Sequence, residues 1–332
     1  MTQIQQVLFE LETDYLGNPY YVSSHALYSA LARRVDAETR QSLQVGHGVF
    51  LPGEYGSYPD AHSQSGGVPY LGTGLRPVDA YEDLFLFRDP AQRWLSDSRP
   101  RDAHNIHDLA LHGGRVAFAS TCSFGRPPSA RNTKRTVTWY LQYYLHAAGE
   151  AGTTDARPDV VPLPDEVLDG LRLGGARNYG LGETRLKDTQ TVDLEALDYS
   201  RLEDTDAETF QLELVSPYVL SSSYPGADDQ SVPWWWTPRP GGLRRREERL
   251  VKNDEIYELT TIDHGQVVGF AGPNPVQTAM NGVLRVGTHS RFGFGEFRLR
   301  PTGEDRVPER EAGRAGTSEG SRPIAHDTCE EA

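Results

Sequence analysis

A chain of 332 residues has room for two domains of roughly 100–200 residues, each able to bury its own core. Hydrophobic residues at 37% and charged ones at 24% exclude a wholly disordered protein, and a formal charge of −14 excludes the uniformly basic coat of a general nucleic-acid binder. Two cysteines, Cys122 and Cys329, exclude a disulfide framework and a thiolate metal site.

Only three of the 33 basic residues are lysines (Lys134, Lys187, Lys252), so arginine carries the basic chemistry. An acidic coat poor in lysine fits a high-salt, halophilic cytoplasm, where local clusters rather than net charge decide what is bound. The opening MTQIQQVLFELE lacks a basic region followed by an apolar stretch, and no window approaches the ~18 apolar residues of a membrane span. A soluble, cytoplasmic protein is expected.

Residues 4–12 alternate as a strand with Val7, Phe9 and Leu11 on one face. A turn at Gly17-Asn18-Pro19 follows, and Ser23 or Ser24 can cap a helix from about His25 to Val35. Residues 44–135, rich in Gly, Pro, Tyr and Asp, read as an insertion of loops and short elements, with 115–121 as a strand. Residues 136–146, TVTWYLQYYLH, suit either a strand or a helix, because a short apolar run is ambiguous by period. A loop over 147–159 precedes a short helix starting at Pro164-Asp165-Glu166.

In the second half, 209–215 alternate strictly and SPYVL follows; 254–263 and 266–270 read as a hairpin turning at His264-Gly265. Pro275 opens a helix over VQTAMNGVL. From about 303 apolar residues nearly vanish, which predicts a disordered tail over 303–332.

One stretch is written twice. Residues 171–187 (LRLGGARNYGLGETRLK) and 284–300 (LRVGTHSRFGFGEFRLR) align without a gap at an offset of 113, with eight of seventeen positions identical. In both copies a helix precedes the loop and a strand follows it. Walker and dinucleotide phosphate loops need the reverse order, so neither is present and no cofactor is implied.

Clustered glycines leave backbone N–H groups uncovered and let the main chain approach a phosphate–sugar strand. The candidate RNA-binding residues are Gly174, Gly175, Arg177, Asn178, Tyr179, Gly180 and Gly182 in one copy. In the other they are Gly287, His289, Ser290, Arg291, Phe292, Gly293 and Gly295. Cations for phosphates and flat rings for bases are what single-stranded nucleic acid needs. The alternative is a pair of tight turns in which glycine only permits close packing.

The quoted loops, with the opening VLFELE, the serine-led SSHALYSALARRV and LELVSPYVL, resemble the RAMP superfamily of CRISPR-associated proteins. The resemblance implies an α+β protein of two ferredoxin-like, RRM-like βαββαβ domains, over 1–190 with the long insertion and over 205–302. It implies CRISPR RNA as ligand and other CRISPR effector subunits as partners, the chain serving as a structural subunit or as the endoribonuclease that processes the precursor. In the processing enzymes a histidine near the first helix often moves the proton. His25 stands in that place, and a ribose 2′-hydroxyl nucleophile needs no metal.

Residues 232–249 join three tryptophans to five arginines. Trp234 and Trp235, with Trp236, could stack bases while Arg239, Arg244, Arg245 and Arg246 neutralise phosphates, or the patch could meet a partner protein, or it could be a solvated charge run. Arg126, Arg131, Lys134 and Arg135 form a second basic stretch, RNA-facing or solvated. His104, His107 and His112 are too loosely spaced to predict a metal. A protein-interaction scaffold without RNA binding is the reading from another class.

Overall fold

The computed structural model describes residues 2–17, 21–53, 74–86, 88, 117–118, 121–123, 136–147, 160–203, 209–238, 241–252 and 255–302. The first strand, β1 (Gln3–Leu11), is the axis of the first domain because both its faces are buried. Val7, Phe9 and Leu11 point into one core, and Leu8 packs on the other side with Val49, Leu51 and Tyr140. Two short strands, β2 (Tyr15–Leu16) and β3 (Tyr21–Val22), lead into α1 (Ser24–Leu31), whose Ser23 cap accepts from the Ala26 N–H at 3.4 Å. Leu27 and Leu31, one turn apart, are fully buried beneath it.

A short α2 (Ala37–Ser42), capped by Asp36, turns the chain into β4 (Leu43–Val45) and β5 (Gly48–Gly53). Both pair with β8, introduced below, so they make one interrupted strand of the main sheet. The expectation that an insertion begins at 44 is thereby corrected: hydrophobic Val45, Val49, Phe50 and Leu51 are core residues, and the sheet continues to Gly53. Short strands β6 (Ala117–Phe118) and β7 (Thr121–Ser123) precede β8 (Thr136–Ala147).

The ambiguous run 136–146 is therefore a strand. Its alternation decides this: Trp139, Leu141, Tyr143 and Leu145 enter one core while Tyr140 and Tyr144 enter others. The domain ends with α3 (Asp165–Leu168) and β9 (Thr184–Asp193). The sheet runs β3-β5-β8-β1-β9, with all its pairs antiparallel. Setting the edge strand β3 aside, that is second, third, first and fourth strand, the ferredoxin-like order.

After α4 (Ser200–Glu203), the second domain contains β10 (Phe210–Leu214), β11 (Tyr218–Ser222), β12 (Trp236–Thr237), β13 (Arg245–Lys252), β14 (Glu255–Ile262) and β15 (Val267–Phe270). It closes with α5 (Pro275–Leu284) and β16 (Phe297–Pro301). Its sheet, β12-β15-β10-β16, keeps the same order. Where the first domain has α1, the second has a three-stranded sheet, β11-β14-β13.

The predicted hairpin over 254–270 is corrected by this arrangement. β14 pairs with β13 and β11, whereas β15 pairs with β10 and β12. The turn at His264-Gly265 carries the chain between sheets, and the Gly265 N–H donates to the Leu214 carbonyl at 2.7 Å.

The domains share apolar contacts on two sides. Val219, Leu250, Leu259, Phe292 and Phe294 of the second domain enter the first core, and Ile4, Tyr144 and Val192 of the first enter the second. Residues 80–86 and Arg88 lie across the seam. Tyr81 stacks on Tyr199 and accepts from the Leu299 N–H at 3.1 Å, and Arg88 reaches Glu296 at 2.5 Å. Residues 303–332, predicted as a tail, lie outside the described residues.

Candidate nucleic-acid interface

The sequence repeat is a repeat of geometry. The Leu173 N–H donates to the Gly182 carbonyl at 2.9 Å, and the Val286 N–H donates to the Gly295 carbonyl at 3.1 Å. Gly182 and Gly295 each donate outward at 2.8 Å, to Asp14 and Pro217. A 3₁₀ turn occupies Arg177–Tyr179 in one loop and Ser290–Phe292 in the other. Both Gly182 and Gly295 have positive φ, and a Cβ on either would fall 1.9 Å from a carbonyl oxygen, Leu173 or Val286. Glycine is thus required for each loop to close on itself.

The two loops have different surroundings. The second is driven into the first domain: Phe292 packs edge-on against His25 and Tyr28, and Arg291 donates to Tyr28 Oη and the Arg40 carbonyl, both at 2.5 Å. His289, Phe292, Gly293 and Gly295 are buried, and Ser290 and Arg291 are half-buried. The Phe292 ring and the Arg291 guanidinium join the domains, the His289 ring packs on Tyr224 and Phe294, and of the candidates in this loop only Gly287 is exposed.

Beneath the second loop lies a buried ionic cluster. Glu296 is fully buried; its Oε1 accepts from Arg88 at 2.5 Å and from Tyr144 Oη. Arg285, buried and at φ 69°, donates through Nη2 to His146 Nδ1 at 3.1 Å and through Nε to the Ser290 carbonyl at 3.0 Å. Burial lowers the pKa of Arg285, with Glu296 opposing. Burial likewise works against the charge on Arg88, but Glu296 and Tyr144 outweigh it and raise its pKa. His47 bonds Ser24 Oγ through Nδ1 and is pushed down to about 3 by burial, with Arg88 adding to the effect.

The first loop borders an open groove of about 880 Å³. Arg33 and Arg34 enter it from the turn after α1, and Arg172, Arg177, Asn178 and Glu183 from the loop. Arg34 is anchored by the carbonyls of Val167 (3.2 Å), Asp169 and Gly170 (2.5 Å). Partial burial lowers the pKa of Arg177, and repulsion from Arg33 adds to it. Among the described residues Glu183 is the one carboxylate lining the groove, 3.4 Å from Arg172. Tyr179, in the turn, is 71% exposed.

Of the candidates in the first loop, Gly174, Gly175, Arg177 and Asn178 line this groove, with Tyr179 and Gly180 on the same turn. Arg33, Arg34 and Arg172 were not singled out. The signal was available, since Arg33 and Arg34 are adjacent cations directly after α1.

The tryptophan run divides. Trp234 is 79% exposed, Trp236 is buried, and Trp235 packs on Trp236, Phe270 and Phe297. Trp235 is thus partly buried, its ring packed against the second core. Arg244, Arg245 and Arg246 are exposed, and Arg246 faces Asp263 at 3.6 Å. Arg239, the 126–135 stretch and the three histidines at 104–112 lie outside the described residues. Among the described residues no group of His, Cys, Asp and Glu is placed to hold a metal, and no helix is long and apolar enough to cross a membrane.

Strand order and the duplicated helix–loop–strand define an α+β protein of two ferredoxin-like domains. No protein-family model matches the sequence, and no curated protein matches it. Among solved structures the chain is similar to a CRISPR-associated protein Cas6, at TM-score 0.36 and 9% identity over 90% of this chain and 98% of that one. It is also similar to oligomeric Cmr4 from Pyrococcus furiosus (TM-score 0.28, 13% identity, 58% of this chain, 100% of that one) and to another Cmr4 structure (0.26, 12%, 57% and 99%). These overlaps are distant, and the fold assignment rests on the strand order.

Proposed function

We propose that the chain binds CRISPR RNA as a structural subunit of a ribonucleoprotein effector, and that it does so through the groove beside the first glycine loop. The observation that carries this reading is the gathering of Arg33, Arg34, Arg172 and Arg177 around one groove in a chain of net charge −14. Partial burial and the neighbouring Arg33 both work against the charge on Arg177, which an anion in the groove would favour. Exposed Tyr179 adds a flat face for a base, the combination that binds single strands. CRISPR RNA in particular follows from the resemblance of the glycine loops to those of RAMP proteins.

The test is binding of an oligouridylate by the parent and by an Arg33→Ala/Arg177→Ala variant across a salt series. Loss of two phosphate contacts should weaken binding and reduce the slope of log K against log salt by roughly 1.4. Unchanged affinity and slope would sink the groove assignment.

His25 favours a second reading, precursor processing. It lies in the first turn of α1, the helix whose C-terminal end leads into Arg33 and Arg34 of the groove. Incubation with a repeat-containing transcript in chelator should give one discrete cut that His25→Ala abolishes. An intact, tightly bound transcript leaves the subunit role.

A further inference from the structure

The repeat places a glutamate at the same point of both loops, and its two settings differ. Glu296 is closed in by the chain itself: the guanidinium of Arg88 and the hydroxyl of Tyr144 both donate to its carboxylate. Glu183, its counterpart, has its backbone fixed, with the N–H on Thr13 Oγ at 2.8 Å and the carbonyl accepting from the Glu12 N–H at 2.9 Å. Its carboxylate, however, lines the arginine groove, partly exposed. A carboxylate is an obstacle to a phosphate and adds nothing to backbone affinity. It is an acceptor of paired N–H donors.

We infer that Glu183 reads a guanine base of the single-stranded RNA held in the groove, an inference that rests on the RNA-binding reading above. A guanine edge presents, in order, the O6 acceptor and the N1–H and N2–H donors. Glu183 supplies two acceptors for the donors, and Arg172, 3.4 Å away, supplies an N–H for O6. Adenine and uracil offer no adjacent pair of donors, and cytosine presents its single donor group beside two acceptors. Tyr179 offers the base a stacking face, and single-stranded RNA exposes the edge that such a pair needs. Arg33 and Arg177 then hold phosphates while Glu183 and Arg172 select the base.

The experiment compares the full chain and its Glu183→Gln variant on an oligouridylate and on the same oligomer carrying one guanosine, inosine, adenosine or cytidine. The parent should favour the guanosine oligomer roughly tenfold, the discrimination of one bidentate pair, with inosine intermediate because it lacks the N2 amino group. In Glu183→Gln one acceptor becomes a donor, so the guanosine preference should vanish while binding to plain oligouridylate is kept or strengthened. Equal affinity of the parent for all four bases, or a cytidine preference, overturns the guanine assignment and leaves RNA binding standing. Binding to none of the oligomers overturns both.

Discussion

Gly180 and Gly293 occupy the same position of the two loops, at φ 85° and 83°, yet a Cβ at 293 would fall 1.5 Å from Ser24 Oγ while one at 180 would meet nothing within 4 Å. The same turn is open solvent-side in one copy and pressed onto α1 in the other. Alanine costs a similar backbone strain at both sites, roughly 1–2 kcal/mol. The difference between Gly293→Ala and Gly180→Ala therefore isolates the collision with α1. Gly293→Ala is expected to be the less stable by at least ~1–3 kcal/mol, the usual cost of overpacking, as read from urea midpoints.

The glutamates of the repeat separate in the same way. Glu296→Gln leaves Arg88 and Arg285 buried around a neutral amide, and removing one partner of a buried ion pair costs about 3–5 kcal/mol. Glu183→Gln removes only a partly exposed pair with Arg172, worth about 0–1 kcal/mol. Equilibrium unfolding of the two variants should show that gap. Equal losses would mean that Glu296 is not carrying the charge balance of the seam.

Acid should loosen the same seam. Burial pushes the His47 pKa down to about 3 and that of His146 well below the usual histidine range. Between about pH 6.5 and 3 the unfolded chain takes up protons that folded His47 refuses. Stability is thus fully present above pH 6.5 and falls as pH drops, by about 1.4 kcal/mol per unit for His47. Unfolding midpoints at pH 7.5, 6 and 5 check this, and His47→Gln should flatten the slope whatever it does to the absolute stability.

The fold was legible where local chemistry and tertiary context agree. Ser23 caps α1 because the serines precede a helical period, and the alternation of Val7, Phe9 and Leu11 fixes β1. The repeat exposed the loops themselves, because glycine at positive φ leaves a mark in the sequence at fixed spacing. What the sequence could not show was burial. Phe292 and Tyr179 are equivalent in the alignment, but one meets α1 of the other domain and one meets solvent, and that depends on residues more than 200 positions apart. The false hairpin at His264-Gly265 failed similarly, since a tight turn says nothing about which sheet receives the next strand.

Tyr179 gives the sharpest separation of stacking from charge. Its ring is 71% exposed, and the turn's backbone bond, from the Tyr179 N–H to the Ala176 carbonyl at 2.9 Å, does not involve the side chain to be replaced. One lost base–aromatic stack is worth about 1–3 kcal/mol. Tyr179→Ala should therefore weaken oligouridylate binding roughly 5- to 150-fold, and Tyr179→Trp should retain or improve it. Neither changes a charge, so the salt slope should stay that of the parent, in contrast to Arg33→Ala/Arg177→Ala. Fluorescence anisotropy at several salt concentrations reads both quantities at once. If Tyr179→Ala binds RNA like the parent but loses a protein partner on purification, the turn is a protein contact and the RNA path runs elsewhere in the groove.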